Sequence, residues 1–182
     1  MNEMFRGMRE TDEYVFFWGG YLSQWFMCNF FDQDGTLYNC AEQYMMAQKA
    51  KLFGDIDAQN RIMESNDPDV QKKIGKEVKN FDEKSWKSAM KIIVTRGNLF
   101  KFTQNEKLKH AIIATGDKVL VEASPYDKIW GIGLKWDNPL CDDPKNWQGT
   151  NYLGEALMLV RKTILSGLQS GTKALKSSTE TI

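Results

Sequence analysis

Helix punctuation dominates this chain and leaves little room for extended strands. Asn39 precedes an apolar-rich run with Glu42 three residues on, the pattern of a capping box, and predicts a helix from about Ala41 to Phe53. Asp67-Pro68 sets an N-cap residue before a proline at the first helical position, opening a helix from Asp69 to about Lys79. Another is expected from about Glu83 to Thr95. Asn105 caps one that stops at Gly116, and the last spans Asn151 to Leu165 with Gly167 as its C′ residue. What remains for strands is short. Tyr14 to Trp18 is an aromatic and β-branched run closed by Gly19-Gly20, and Lys118 to Glu122 reads as a buried strand. The aromatic cluster Trp25 to Phe31 ends in a turn at Asp32-Gln-Asp-Gly35, and Ile129 to Leu134 is a strand or a Gly-containing loop. Five helices with a few short strands predict a compact, mostly helical α+β fold. One domain is expected over residues 14–167, with a loose lead-in over 1–13 and a flexible Ser/Thr/Lys-rich tail over 168–182.

Charge and residue counts exclude several functions. Lys plus Arg and Asp plus Glu are 24 each, so the net charge is zero and nucleic acid is not held by bulk charge. His110 is the only histidine, which argues against Ser-His-Asp chemistry and two-histidine metal sites. Cys28, Cys40 and Cys141 are few and scattered, fitting reduced thiols rather than a disulfide framework. There is no apolar signal segment and no run long enough to span a bilayer, so the expectation is a cytoplasmic protein off the membrane. No metal, no cofactor and no obligate protein partner is called for.

Two helices break the rule that charge stays off the apolar face. In the first, Glu42 and Lys49 fall inside the arc of Ala41, Met45, Met46, Leu52 and Phe53. They are two turns apart, about 10.5 Å at 1.5 Å per residue, and helical side chains lean toward the N-terminus. A carboxylate and an amine can therefore converge on one low-dielectric site. In the last helix Arg161 lies in the arc of Leu153, Leu157, Val160 and Ile164, beside Gly154, where a guanidinium could hold a phosphate or carboxylate. The plainer alternative makes Glu42 a capping residue and Arg161 its buried partner.

Loops supply the other candidates. Ser124-Pro-Tyr-Asp127 follows the buried strand directly, and Trp130-Gly-Ile-Gly133 lets backbone approach a ligand. As a dinucleotide fingerprint the latter fails, because Trp136 stands where the third glycine belongs. Trp147-Gln-Gly-Thr-Asn151 precedes a helix N-terminus that can take an anion, and Lys101-Phe-Thr-Gln-Asn105 is a mixed basic and aromatic turn. Core packing and base stacking are both open to the tryptophans.

The ordered set of segments resembles the NADAR (YbiA-like) family. Phe17-Trp-Gly-Gly, Leu22-Ser-Gln-Trp25 and Cys40-Ala-Glu-Gln-Tyr-Met-Met-Ala-Gln-Lys-Ala50 open it. Asn66-Asp-Pro68, Phe81-Asp82, Trp86, Gly97-Asn98 and Lys101-Phe-Thr-Gln-Asn105 continue it. Thr115-Gly-Asp117, Val121-Glu-Ala-Ser-Pro125, Asp127-Lys-Ile-Trp-Gly-Ile-Gly133, Trp147-x-Gly149-x-Asn151 and Leu153-Gly154 through Arg161 complete it. The resemblance implies an N-glycosidase acting on N-ribosyl bonds. Its substrates would be ADP-ribose on a base such as guanine in nucleic acid, or ribosylaminouracil phosphates of riboflavin synthesis. It implies a site of Glu42, Lys49 and Asp127 as catalytic groups, with Trp18, Gly19, Trp86, Lys101, Glu122, Trp130, Gly131, Asn151 and Arg161 against the substrate. Lys76 stands where the family's arginine is expected, and Leu22-Ser-Gln-Trp25 replaces the commoner Leu-Ser-Asn-Phe.

The chemistry suits these residues. Cleaving an N-ribosyl bond passes through an oxocarbenium-like state that a carboxylate stabilises, and an acid must protonate the leaving base or a base must activate water. Glu42 is the first candidate and Asp127 the second. Lys49 either holds ribose or phosphate, or attacks C1 and forms a Schiff base with the opened sugar. A module that binds ADP-ribose or NAD without turnover is the rival reading, and a fold with purely structural buried charges is a third.

Overall fold

Three strands and one enclosed helix organise the molecule, of which the computed structural model describes residues 3–179. The strands β1 (Met8–Glu10), β2 (Tyr14–Phe17) and β5 (Val119–Glu122) form a sheet in the order β1-β2-β5. β1 runs antiparallel to β2, while β5 is parallel to it, pairing Val15 with Leu120 and Phe17 with Glu122. Parallel strands are covered on both faces, and side chains alternate between those faces. Val15, Phe17 and Leu120 accordingly join the helical core, while Phe16 and Val121 join a second cluster with Ala123, Ile132 and Leu134. A hairpin of β3 (Phe30–Phe31) and β4 (Leu37–Tyr38) turns where Asp32-Gln-Asp-Gly35 predicts it.

Six α-helices follow the hairpin: α1 (Ala41–Leu52), α2 (Ile56–Glu64), α3 (Pro68–Lys76), α4 (Glu83–Gln104), α5 (Glu106–Ala114) and α6 (Tyr152–Thr179). The fold is α+β, as expected, and among the described residues no helix is long and apolar enough to cross a membrane. α1 sits at the centre, packed by α2, α3 and α4, and is buried on most sides. Its N-cap is Cys40 rather than Asn39: the Cys40 sulfur accepts from the Gln43 N–H at 3.4 Å. The Gln43 amide oxygen reciprocates by accepting from Asn39 N at 2.8 Å. Gln43 thus does the capping expected of Glu42, and Glu42 is free for other work.

Several boundaries differ from expectation, each for a local reason. The lead-in is not loose, because Met8–Glu10 bonds along β2 as an edge strand. α2 is unanticipated. It starts at Asp55, whose side chain accepts from Ala58 N at 3.1 Å and Lys79 N at 2.8 Å. α4 runs past Thr95 to Gln104, so Lys101-Phe-Thr-Gln-Asn105 lies largely in its last turn. Gly97 does not end it, since a Cβ there would meet the Tyr44 ring at 2.5 Å and the glycine serves the α1–α4 contact. Gly154 does the same for α6 against β5, where a Cβ would collide with the Leu120 carbonyl oxygen. α6 continues through Gly167 to Thr179, so most of the expected flexible tail is helical; residues 180–182 lie outside those described.

Candidate active site

The parallel pair β2 and β5 ends at a cavity of about 630 Å³. This is where open α/β arrangements place ligands, outside the carboxyl ends of parallel strands. After β2 come Trp18 and Gly19, then Ser23, Gln24 and Trp25; after β5 come Ser124, Tyr126, Asp127, Ile129 and Trp130. α1 contributes Glu42, Met45, Met46 and Lys49, α3 contributes Lys72, Gly75 and Lys76, and Trp86 and Leu153 close the wall. Three acids, Glu42, Glu122 and Asp127, and three lysines, Lys49, Lys72 and Lys76, thus share one cavity.

Glu42 is buried at 5% exposure, and its carboxyl is pushed up to about 7. Loss of solvation is the main cause; the charge of Lys72 and a hydrogen bond from the Trp25 side chain oppose it, and Asp127 adds to it. Glu122 is raised well above the usual carboxylate range, by burial first and then by Asp127 and Glu42. Its place follows from register. It continues the core-facing row of Leu120, so a carboxyl stands where an apolar side chain belongs. Active sites are where buried acids with raised affinity for a proton concentrate.

Lys49 lies on the same cavity but does not pair with Glu42. Its ammonium donates to the Gly75 carbonyl at 2.7 Å and sits 4.4 Å from the Phe81 ring centre and 5.6 Å from that of Trp86. Burial lowers its affinity for a proton. The amine nearest in effect to Glu42 is Lys72, whose ammonium is 5.7 Å from the Trp25 ring centre. Lys72 escapes the sequence reading, and Trp25 enters it within the aromatic cluster and the Leu22-Ser-Gln-Trp25 departure, without a role at the site. Lys72 lies between Gln71 and Lys73 on a polar, lysine-rich helix that offers no pattern to single it out.

Of the residues singled out in the sequence, Trp18, Gly19, Trp86, Glu122, Asp127 and Trp130 line the cavity. Asp127 also builds its own loop, with Oδ1 accepting from Ile129 N at 2.9 Å and Trp130 N at 2.8 Å. Four other expected substrate contacts stand behind the wall instead. Asn151 accepts from Glu122 N and donates to the Leu120 carbonyl, both at 2.9 Å, and so fixes the end of β5. Gly131 lies beneath Glu122, where a Cβ would meet the Glu122 carbonyl oxygen at 2.7 Å. Arg161 donates to Thr115 Oγ1 at 2.7 Å and the Lys118 carbonyl at 2.9 Å, clamping α6 to the entry of β5. That also removes Arg161 as a partner for Glu42. Lys101 is fully buried, its ammonium donating to the Ser23 carbonyl at 2.8 Å, so it holds the 22–25 loop from below. Trp147 likewise packs with Tyr14 away from the cavity.

The NADAR domain family matches residues 16–165. The chain belongs to that family. An N-glycosidase of Acanthamoeba polyphaga mimivirus is 43% identical over 165 residues, covering 84% of this chain and 97% of the relative. A riboflavin biosynthesis protein of Vibrio vulnificus is 30% identical over 149 residues, covering 80% of this chain but 35% of that larger protein. The solution structure of E. coli YbiA superposes with a TM-score of 0.72 at 23% identity, over 92% of this chain and 94% of that one. The fold is therefore the YbiA fold, and the class of activity in this NADAR protein is that of an N-glycosidase hydrolase.

Proposed function

We propose that this NADAR protein removes ADP-ribose from a modified base, such as guanine in nucleic acid, by hydrolysing the N-ribosyl bond. The observation that carries the reading is Glu42, a buried carboxyl whose proton is exchangeable near neutrality, in a cavity that also holds three lysines. A group balanced near pH 7 is suited to giving a proton to the leaving base and to taking one from water. Asp127 offers a carboxylate to the sugar as it becomes cationic, Glu122 lines the cavity as a second carboxyl that burial keeps protonated, and Lys49, Lys72 and Lys76 offer ammoniums to the phosphates. A module that only held ADP-ribose would have no use for two buried acids.

The rim favours a base carried on a polymer over a free riboflavin intermediate. Trp18 and Trp25 are about two-fifths exposed, Tyr126 is 85% exposed, and Tyr126 packs edge-on to Trp18 at 5.6 Å. Such open aromatic surface is suited to stacking the bases that flank the modified one. Lys49 acts in one of two ways. It holds the ribose or phosphate, or its amine bonds to C1 as the base departs with the proton from Glu42. In the second case the ring opens to a protonated imine, and water releases the sugar and restores the amine.

Incubating the protein with single-stranded DNA carrying ADP-ribosylated guanine, and separately with a ribosylaminouracil phosphate, tests the reading. Release of ADP-ribose from the DNA is expected, together with its loss in Glu42→Gln. Turnover of the aminouracil compound alone would replace the proposed substrate. Borohydride added during turnover separates the two roles of Lys49, since the covalent one leaves a stable adduct on that residue by mass spectrometry.

A further inference from the structure

Gln24 is buried at 9% exposure in the cavity wall, yet among the described residues its amide nitrogen meets only a thioether, Met45 Sδ at 3.7 Å. Thioether sulfur is a weak acceptor. The Gln24 amide oxygen is engaged from below, accepting from Asn98 Nδ2 at 2.7 Å. Asn98 is itself fixed. Its Nδ2 also donates to the Val94 carbonyl at 2.9 Å, and reversing the amide would set its oxygen against two oxygens. Among the described residues Asn98 Oδ1 has no hydrogen-bond partner, although it is fully buried. The fold bears that cost and keeps the Asn98 amide one way round. The polarity of Gln24 follows, with oxygen inward and N–H toward the cavity. Its backbone carbonyl accepts from Glu42 N at 2.9 Å, and both residues line the same cavity.

We infer that Gln24 is a specificity-determining donor that receives a carbonyl oxygen of the leaving base. A ribose hydroxyl both gives and accepts, and either amide orientation would serve it; an oxygen that only accepts is served by one. Phosphate oxygens also only accept, but the cavity offers them the ammoniums of Lys49, Lys72 and Lys76, which are stronger partners than a neutral amide. The inference rests on the N-glycosidase reading above.

Steady-state kinetics of Gln24→Met, Gln24→Glu and Asn98→Asp test it, on ADP-ribosylated guanine and on the same base with hydrogen in place of the 6-carbonyl. Gln24→Met is expected to raise KM about tenfold on guanine with kcat little changed, as for a lost uniform binding contact. That loss should vanish on the carbonyl-free base. Gln24→Glu should do more damage, roughly a hundredfold, by facing oxygen with oxygen. Asn98→Asp should reproduce the Gln24→Glu defect from beneath, because Gln24 must turn its N–H inward to meet the new carboxylate. Folded Gln24 variants with unchanged KM on guanine overturn this inference alone, as do equal losses on both bases, which would assign the donor to the sugar or phosphate. A wild type that cleaves neither base overturns the glycosidase reading and this inference with it.

Discussion

Replacing Glu42 with glutamine removes a charge the fold resists while keeping the size and shape of the side chain. The carboxyl titrates at about 7 in the folded protein against an ordinary value of 4.5. Between those pH values the folded chain keeps a proton that the unfolded chain has lost, so stability falls as pH rises through the interval. At 1.36 kcal/mol per pH unit the cost saturates near ~3 kcal/mol above pH 7 and is absent below pH 4.5. Glutamine carries no such cost. Glu42→Gln should therefore match the wild type in stability at pH 4.5 and exceed it by roughly 6–12 °C in Tm at pH 8, while hydrolysis is lost. Paired thermal melts from pH 4.5 to 8.5 read this directly. Parallel curves for the two proteins, or a glutamine variant less stable at pH 8, would show that Glu42 is not held in its acid form by burial.

Three further outcomes follow from the residues behind the cavity wall. Lys101→Met removes an ammonium that burial brings down to about 8, and the relief offsets the loss of the Ser23 contact. It should leave Tm at pH 7 within about 3 °C while lowering kcat/KM several-fold, because the 22–25 loop loses its anchor; a steep fall in Tm would contradict this. Arg161→Leu should cost about 2–3 kcal/mol in chemical denaturation, since the Thr115 hydroxyl and Lys118 carbonyl lose their buried partner, with KM unchanged. A KM defect in folded protein would return Arg161 to the ligand. Asn151→Ala strips both the Glu122 N–H and the Leu120 carbonyl of their partners and should cost about 2–4 kcal/mol with a large drop in kcat. Retained activity at full strength would mean that Glu122 needs no such support.

Much of this architecture is legible in the chain. Asp67-Pro68, Lys118 to Glu122 and the turn after Phe31 announce α3, β5 and the hairpin, because each depends on neighbours in sequence. α2 is hidden by its polarity, although Gly54 before the capping Asp55 offers the signal of one helix ending and another starting. The embedded charges of α1 stand out because that helix is enclosed on most sides, and Glu42 earns its notice. What periodicity does not resolve is which amine meets it: the wheel suggests Lys49 from the same helix, while packing brings Lys72 from α3. Arg161, Asn151, Lys101 and Gly131 show the reverse limit. A polar group or glycine amid apolar neighbours reads alike whether it grips a ligand or grips the backbone beneath one. Only the hydrogen-bond partners separate the two cases.

Glu122 owes its position to a strand pairing whose halves are divided by the whole run from α1 to α5. Contacts so distant along the chain carry a large loop-closure cost and are slow to form. The chamber's set of acids is thus completed only when the chain's early and late segments meet. A nascent or clipped polypeptide ending before β5 would display α1, with both Glu42 and Lys49, and still be inert. Turnover then reports on the finished molecule.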